Sequence, residues 1–125
     1  MKRIVLADDS KTALLFIRRC LEIIGLQNAV FIEAANGREA LDHLKETPAD
    51  LLVTDLNMPE MDGTSLLRRV KANPRLHDIP VLVITSASNP AKAAELLELG
   101  AFAVLDKPIN PNVLLKALGP FIAGE

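Results

Sequence analysis

The sequence predicts an α/β fold in which a mostly parallel sheet is covered by helices on both faces. Five short apolar or β-branched runs alternate with five amphipathic segments, at a spacing of roughly 20 to 25 residues. Such alternation is typical of right-handed βαβ units. The chain has 125 residues, of which 50% are hydrophobic. That length suits one domain, and that composition is enough for a core without covalent cross-links.

The segments can be placed from their patterns and their flanking residues. The predicted strands span residues 3–7, 29–34, 51–54, 79–85 and 101–105. The first, third and fourth strands are the most apolar, whereas the second carries Glu33 and polar flanks and is predicted to lie at an edge. The helices follow Ser10, Asn36-Gly37, Asp62-Gly63, Asn89-Pro90 and Asn110-Pro111. They end at Gly25, at Thr47-Pro48, near Asn73-Pro74, before Gly100 and at about Phe121.

Composition excludes several classes of function. Cys20 is the single cysteine, so no intrachain disulfide is possible and no oxidising compartment is implied. The first apolar run has four residues and ends in two acids, which fits neither a signal peptide nor a membrane span. A cytosolic protein without membrane contact is therefore expected. The net charge is −2 and aromatic residues make up 3%, which argues against a nucleic-acid surface.

Polar side chains follow four of the five predicted strands. Asp8-Asp9 follow the first strand, Asp55 the third and Lys107-Pro108 the fifth, while Thr85-Ser86 close the fourth. Parallel strands place their carboxyl ends at one edge of the sheet, where ligands bind in open α/β folds. These side chains are therefore expected to converge, although they lie up to a hundred residues apart in the chain.

Three carboxylates at one edge would repel one another. Two unit charges about 5 Å apart at an effective dielectric of about 20 cost roughly 3 kcal/mol. A divalent cation removes that cost, and hard oxygen ligands with open positions suit Mg²⁺. Asp8 and Asp9 have an alternative role as caps for the first helix. The third acid across the edge favours the metal site.

Asp55 can serve as a metal ligand or as a nucleophile, since carboxylates form aspartyl-phosphate intermediates. Phosphoryl transfer needs neutralised oxygens and correct placement. Lys107 offers a cation and the Thr85 hydroxyl a donor for that purpose. A solvated surface lysine and an ordinary strand threonine are the alternatives, and the position of both residues at the same edge argues against them.

These motifs together resemble the receiver domain of response regulators in two-component signalling. The resemblance rests on Asp8-Asp9, the segment 55–59 (Asp-Leu-Asn-Met-Pro), Asp62-Gly63, Thr85 and Lys107-Pro108. It covers essentially all of residues 1–125, which would form one receiver domain. It implies a flavodoxin-like (βα)5 fold with the strand order 2-1-3-4-5.

The resemblance also implies roles for the acids. Asp55 would accept a phosphoryl group from a phosphohistidine of a sensor histidine kinase or a phosphotransfer protein. Asp9 and Asp55 would bind Mg²⁺ directly, Asp8 largely through water, and the Asn57 backbone carbonyl would complete the protein ligands.

Three further residues have roles by resemblance. Lys107 would pair with Asp55 and then with the phosphoryl oxygens, and Thr85 would donate a hydrogen bond to the phosphoryl group. The Lys107–Pro108 peptide is expected to be cis, which is accessible before proline. The protein would catalyse only its own phosphorylation and dephosphorylation and would not be an enzyme in the usual sense.

Two positions bear on how the phosphorylated state is reported and how long it lasts. Receivers usually carry Tyr or Phe three residues before the lysine, and here that position is Val104. Phe102 lies two residues earlier, and the alternation of strand residues predicts that it shares a face with Val104. The aromatic relay of the family is thus in question for this chain, and strand packing is the expected role of both residues.

Ala87 lies two residues after Thr85 and offers no group to orient an attacking water, which is compatible with slow loss of phosphate.

Three other functions fit the sequence less well. An aspartate-dependent phosphatase would need a second aspartate where Asn57 stands, and a dinucleotide module would need a glycine-rich loop after the first strand. A receiver that no longer takes phosphate would not need the complete set of site residues. If these 125 residues are the full gene product, no output domain follows the last helix, and the sequence predicts a monomeric, stand-alone regulator that acts by binding a downstream protein target, as chemotaxis regulators do.

Overall fold

The computed structural model describes residues 1–86 and 89–122, and within them five strands alternate with five α-helices. The strands are β1 (Arg3–Ala7), β2 (Val30–Ala34), β3 (Leu51–Thr54), β4 (Val81–Thr85) and β5 (Ala103–Asp106). The helices are α1 (Lys11–Leu21), α2 (Gly37–Glu46), α3 (Gly63–Ala72), α4 (Pro90–Glu98) and α5 (Pro111–Ile122). No described helix is both long and apolar enough to cross a bilayer.

All five strands are parallel and form one sheet in the order β2-β1-β3-β4-β5. The predicted fold class and strand order are therefore confirmed. Every residue of β3 and β4 is buried, whereas β2 lies at an edge, as its polar residues indicated. At the carboxyl ends, Thr54 pairs with both Ala7 and Val83, and Thr85 pairs with Asp106.

The sheet separates two apolar clusters, because alternate strand residues point to opposite faces. On one face Leu6, Val53 and Ile84 pack with α1 and α5. On the other face Leu52 and Val83 pack with α2, α3 and α4. We call these the α1/α5 face and the α4 face, and they determine which neighbours each site residue meets.

The first helix ends differently from the simple stop expected at Gly25. Helix α1 ends at Leu21 and continues into a wider helical turn over Glu22–Leu26. Gly25 in that turn has a φ of 115°, a left-handed conformation that glycine adopts without a steric penalty. The glycine therefore does end the helical path, but after a turn that the apolar pattern does not distinguish from α-helix.

The last two strands differ from their predicted bounds. Strand β4 begins at Val81 rather than at residue 79, because Pro80 has no N–H to donate to the sheet. Strand β5 begins at Ala103 and includes Asp106.

The prediction that Phe102 and Val104 share a face is wrong. Phe102 packs on the α1/α5 face, where its ring lies 4.8 Å from that of Phe121, whereas Val104 packs on the α4 face. Phe102 precedes the regular strand, so the alternation that relates residues within a strand does not reach it.

Candidate functional site

Three carboxylates meet at the carboxyl edge of the sheet. The pairing of Ala7 with Thr54 places the residues that follow them, Asp8 and Asp55, at neighbouring strand ends. Oxygen atoms of Asp8, Asp9 and Asp55 all lie within 4.8 Å of one another. The parallel sheet thus brings together the three acids that the sequence pattern pointed to.

Asp8 is the most buried of the three, with 1% of its surface exposed. Its Oδ1 accepts a hydrogen bond from the Ser10 N–H at 2.9 Å, and its Oδ2 accepts one from Lys107 Nζ at 2.8 Å. Ser10, not either acid, caps α1, since its hydroxyl accepts the Ala13 N–H. Asp8 therefore also shapes the turn before the helix, while Asp9 is exposed and open to solvent.

Lys107 is the cation of this cluster. Its Nζ lies 2.8 Å from Asp8 Oδ2 and 3.6 Å from Asp55 Oδ2, and 26% of its side chain is exposed. Burial would lower the pKa of Lys107, but the hydrogen bond to Asp8 and the negative charges of both acids outweigh it and raise that pKa. The ammonium is thus held protonated, closer to Asp8 than to Asp55. The Lys107–Pro108 peptide is cis.

Asp55 is partly buried, and 12% of its side chain is exposed. Its Oδ1 accepts the Leu56 N–H at 2.8 Å, which leaves Oδ2 toward Lys107. Burial raises the pKa of Asp55 above its ordinary value and the charge of Asp8 raises it further, against the opposing effects of the Leu56 N–H and Lys107. Burial is therefore the main reason that the charged form of Asp55 is disfavoured.

The loop after β3 folds back on Asp55. The Met61 N–H donates to the Pro59 carbonyl at 2.7 Å, and between them Glu60 has a φ of 63°. The chain then enters α3 through Asp62, whose side chain caps the helix by accepting the Ser65 N–H.

Gly63 closes this loop against the strand end. Its N–H donates to the Leu56 carbonyl at 2.8 Å, and a Cβ at Gly63 would lie 2.2 Å from the Asp55 carbonyl oxygen. Only glycine permits that approach. Asn57 is exposed within the loop, and its backbone carbonyl as a metal ligand remains a prediction.

Thr85 ends β4 and is fully buried. Its carbonyl accepts the Lys107 N–H at 3.0 Å, which joins the two strand ends directly. Alternation along β4 places Thr85 on the side of Val83, hence on the α4 face, where Val83 is paired with Val104. Ala87 lies outside the described residues, so its suggested effect on phosphate lifetime stays a prediction.

One contact at the site was missed by the sequence pattern. The hydroxyl of Thr54 donates to the Asp55 carbonyl oxygen at 2.8 Å, and Thr54 is fully buried. The pattern treats Thr54 only as a β-branched strand residue. The available signal was its hydroxyl, which needs a partner in a strand buried on both faces.

The arrangement fits a hard divalent cation. The donors are carboxylate oxygens from Asp8, Asp9 and Asp55, the lysine offsets only part of their charge, and the exposed Asp9 leaves room for water ligands. Across the described part of the chain, this is the one group of three acid, histidine or cysteine side chains close enough to hold a metal ion.

Comparisons with known proteins agree with this geometry. The sequence-family model described as the response regulator receiver domain matches residues 4–119 of this chain. The chain is 35% identical over 118 residues to the chemotaxis protein CheY1 of Helicobacter pylori, covering 93% of each protein. It is 37% identical over 112 residues to CheY of Pseudomonas aeruginosa, covering 90% of this chain and 89% of that protein.

A solved structure shows the same fold. The structure of the chemotaxis response regulator CheY4 of Vibrio cholerae superposes with a TM-score of 0.84 at 30% identity, covering 98% of this chain and 99% of that one. The order and position of the site residues, the parallel sheet and these matches agree with one another. The chain therefore belongs to the response-regulator receiver family.

Proposed function

We propose that this protein is a stand-alone response regulator of a two-component phosphorelay in the cytosol, which accepts a phosphoryl group on Asp55 in a Mg²⁺-dependent reaction. The observation that supports the proposal is that the Asp55 carboxylate lies close to Lys107, Asp8 and Asp9 at the carboxyl edge of the sheet. The phosphoryl donor is a phosphohistidine of a sensor kinase or phosphotransfer protein. Phosphorylation changes the affinity of the regulator for a downstream protein.

The chemistry divides among the residues of the edge. An oxygen of Asp55 attacks phosphorus as the P–N bond of the phosphohistidine breaks, and the bonding electrons go to the imidazole nitrogen, which takes up a proton. The Lys107 ammonium lies 3.6 Å from Asp55 Oδ2 and offsets charge on the transferred oxygens. Asp8, Asp9 and Asp55 would hold Mg²⁺, which would supply charge neutralisation for the transferred phosphoryl group.

A surface beside Lys107 supports docking of a phosphodonor protein. An apolar cavity of about 160 Å³ is lined by α1 and by the segment after β5, including Phe16, Ile17, Pro108 and Ile109. Phe16 is 48% exposed. An apolar side chain of the donor bound there would lie next to the lysine and thus close to the phosphoacceptor.

Acetyl phosphate and intact mass test the proposal. In the presence of Mg²⁺ the protein should gain one phosphoryl group, and both Asp55→Asn and removal of Mg²⁺ by EDTA should abolish the gain. Asp42→Asn is the matched control, because Asp42 is an exposed acid of α2. Absence of any adduct on the wild type would indicate a binding module instead, and repeated turnover of acetyl phosphate would indicate a phosphatase.

We propose that phosphorylation of Asp55 changes the surface of α4 through a movement of Thr85. Thr85 and Val104 share the α4 face, so a shift of Thr85 toward the phosphoryl group changes the packing under α4. Val104 is smaller than the aromatic residue usual in the family, and it leaves room for a side chain of the partner.

Replacement of Val104 with tyrosine is expected to change phosphorylation-dependent binding of the partner. A tyrosine ring would fill the space beside the partly buried valine, so its position should depend on that of Thr85 and it should compete with a side chain of the partner. We expect larger phosphorylation-induced changes in the amide resonances of α4 and an altered ratio of partner affinities between the two states. Val30→Tyr on the far edge strand is the control. Identical affinities for wild type and Val104→Tyr in both states would count against this role.

A further inference from the structure

We propose that Thr54 is a positioning residue for the phosphoacceptor, acting through the peptide that joins Asp55 to Leu56. This inference rests on the proposed function of Asp55 and assigns a residue that the family motifs of the chain do not include. The hydroxyl of Thr54 holds the carbonyl of that peptide, and the N–H of the same peptide holds the Asp55 carboxylate.

The first contact fixes the carbonyl end of the peptide. Thr54 is fully buried at the end of β3, and its Oγ1 donates to the Asp55 carbonyl oxygen at 2.8 Å. The preceding peptide is anchored by the Asp55 N–H, which donates to the Ala7 carbonyl of β1 at 2.8 Å. The backbone of Asp55 is therefore hydrogen-bonded to β1 through its N–H and to Thr54 through its carbonyl.

The second contact lies at the other end of the same rigid group. A peptide is planar, so a hydrogen bond that fixes its C=O also fixes the direction of its N–H. That N–H belongs to Leu56 and donates to Asp55 Oδ1 at 2.8 Å. The direction set by Thr54 is thus transmitted to the carboxylate, and Oδ2 is left toward Lys107 at 3.6 Å.

The surrounding backbone leaves the peptide little room to rotate. Gly63 lies so close that a Cβ there would be 2.2 Å from the Asp55 carbonyl oxygen and 3.0 Å from the Leu56 Cα. The Gly63 N–H also donates to the Leu56 carbonyl at 2.8 Å. The Asp55 carbonyl oxygen accepts the Thr54 hydroxyl on one side and is covered by Gly63 on the other. A single orientation of the Asp55 carboxylate is therefore favoured before the phosphodonor binds.

A pair of variants separates positioning from packing. Thr54→Val keeps the shape and removes the hydroxyl, whereas Thr54→Ser keeps the hydroxyl and removes a methyl group. Thr47→Val removes a hydroxyl from an exposed threonine at the end of α2 and serves as the control. If Thr54→Val does not fold, Thr54→Ala provides the same comparison with Thr54→Ser.

Two readouts are measured on each variant at saturating Mg²⁺. The first is the rate constant for phosphorylation by acetyl phosphate, which should fall about tenfold in Thr54→Val, since small misplacements of a reacting group cost this much or more. Thr54→Ser should restore most of the rate. The second is the amide proton resonance of Leu56, which a hydrogen bond to a carboxylate moves downfield; it should move upfield in Thr54→Val and remain in place in Thr54→Ser.

The outcomes distinguish the two proposals. If the wild type is phosphorylated on Asp55 while Thr54→Val reacts as fast and keeps the Leu56 resonance, the positioning role is wrong and the function stands. If Thr54→Ser is as slow as Thr54→Val, packing and not the hydroxyl is responsible, and the role is again wrong. If the wild type takes no phosphoryl group, the proposed function fails and the role of Thr54 fails with it.

Discussion

Replacing Lys107 with methionine should slow phosphorylation of Asp55 by about 10²-fold, the size of effect seen when a preorganised charged or hydrogen-bonding group is removed from a reacting centre. The ammonium is 2.8 Å from Asp8 and 3.6 Å from Asp55. Among the described residues, no other cation forms an ion pair with either acid, so none could take over its role. The loss should appear in the rate constant with acetyl phosphate at saturating Mg²⁺.

The same substitution should lower stability in Mg²⁺-free buffer by about 2 kcal/mol, because it leaves buried acids without their partner. The loss is smaller than for a fully buried ion pair because 26% of the lysine side chain is exposed. Added Mg²⁺ should recover more stability in Lys107→Met than in the wild type, since the ion would then offset a larger repulsion. Urea unfolding with and without Mg²⁺ measures this.

Lys116→Met is the matched control, because Lys116 is an exposed lysine on α5. It should change neither the rate nor the Mg²⁺ dependence of unfolding. A Lys107→Met protein that is phosphorylated at the wild-type rate would show that the lysine does not act on the transferred group.

Gly63→Ala is expected to destabilise the protein by about 3 kcal/mol, the upper range for inserting an atom into a well-packed place. The new Cβ would lie 2.2 Å from the Asp55 carbonyl oxygen, which is backbone and cannot swing away as a side chain would. Relief of the clash requires the loop or the strand end to move, so phosphorylation of Asp55 should slow as well.

Gly119→Ala controls for the loss of glycine itself. Nothing lies within 4 Å of a Cβ built there, and the residue is helical, so its stability should stay within about 1 kcal/mol of the wild type. Equal unfolding midpoints for Gly63→Ala and Gly119→Ala would mean that the close approach to Asp55 has no energetic consequence.

The strand ends were the part of the site that sequence could predict. The ends of the apolar runs identify four site residues: Asp8, Asp55, Thr85 and Lys107. Parallel pairing of the strands then places these ends at one edge of the sheet. This is why residues a hundred positions apart could be placed together without coordinates. The resemblance to receivers then supplied the strand order and the candidate roles.

What sequence could not give depended on distances and directions. Lys107 lies closer to Asp8 than to Asp55, at ion-pair distances of 2.8 and 3.6 Å. The spacing of these residues in the sequence does not predict that difference. The predicted face of Phe102 is wrong because the alternation of strand residues does not extend beyond the start of β5.

The approach of Gly63 to Asp55 and the hydrogen bond from Thr54 share a cause. Both are contacts to a backbone carbonyl, and a side-chain pattern carries little information about where a carbonyl points. A glycine and a threonine in these places look ordinary in the sequence. Their contribution appears only when the loop after β3 is seen to fold back on the strand end.

The division of the edge between two faces has a consequence for how partners can share this protein. The acids and Lys107 adjoin α1 and the segment after β5, whereas Thr85 and Val104 adjoin α4. Under the proposed function, a phosphodonor bound over α1 would leave α4 uncovered, so a target would not have to wait for the donor to dissociate. The proposed function then predicts that donor and target could bind one regulator together, so that the signal could pass through a ternary complex as well as by sequential exchange.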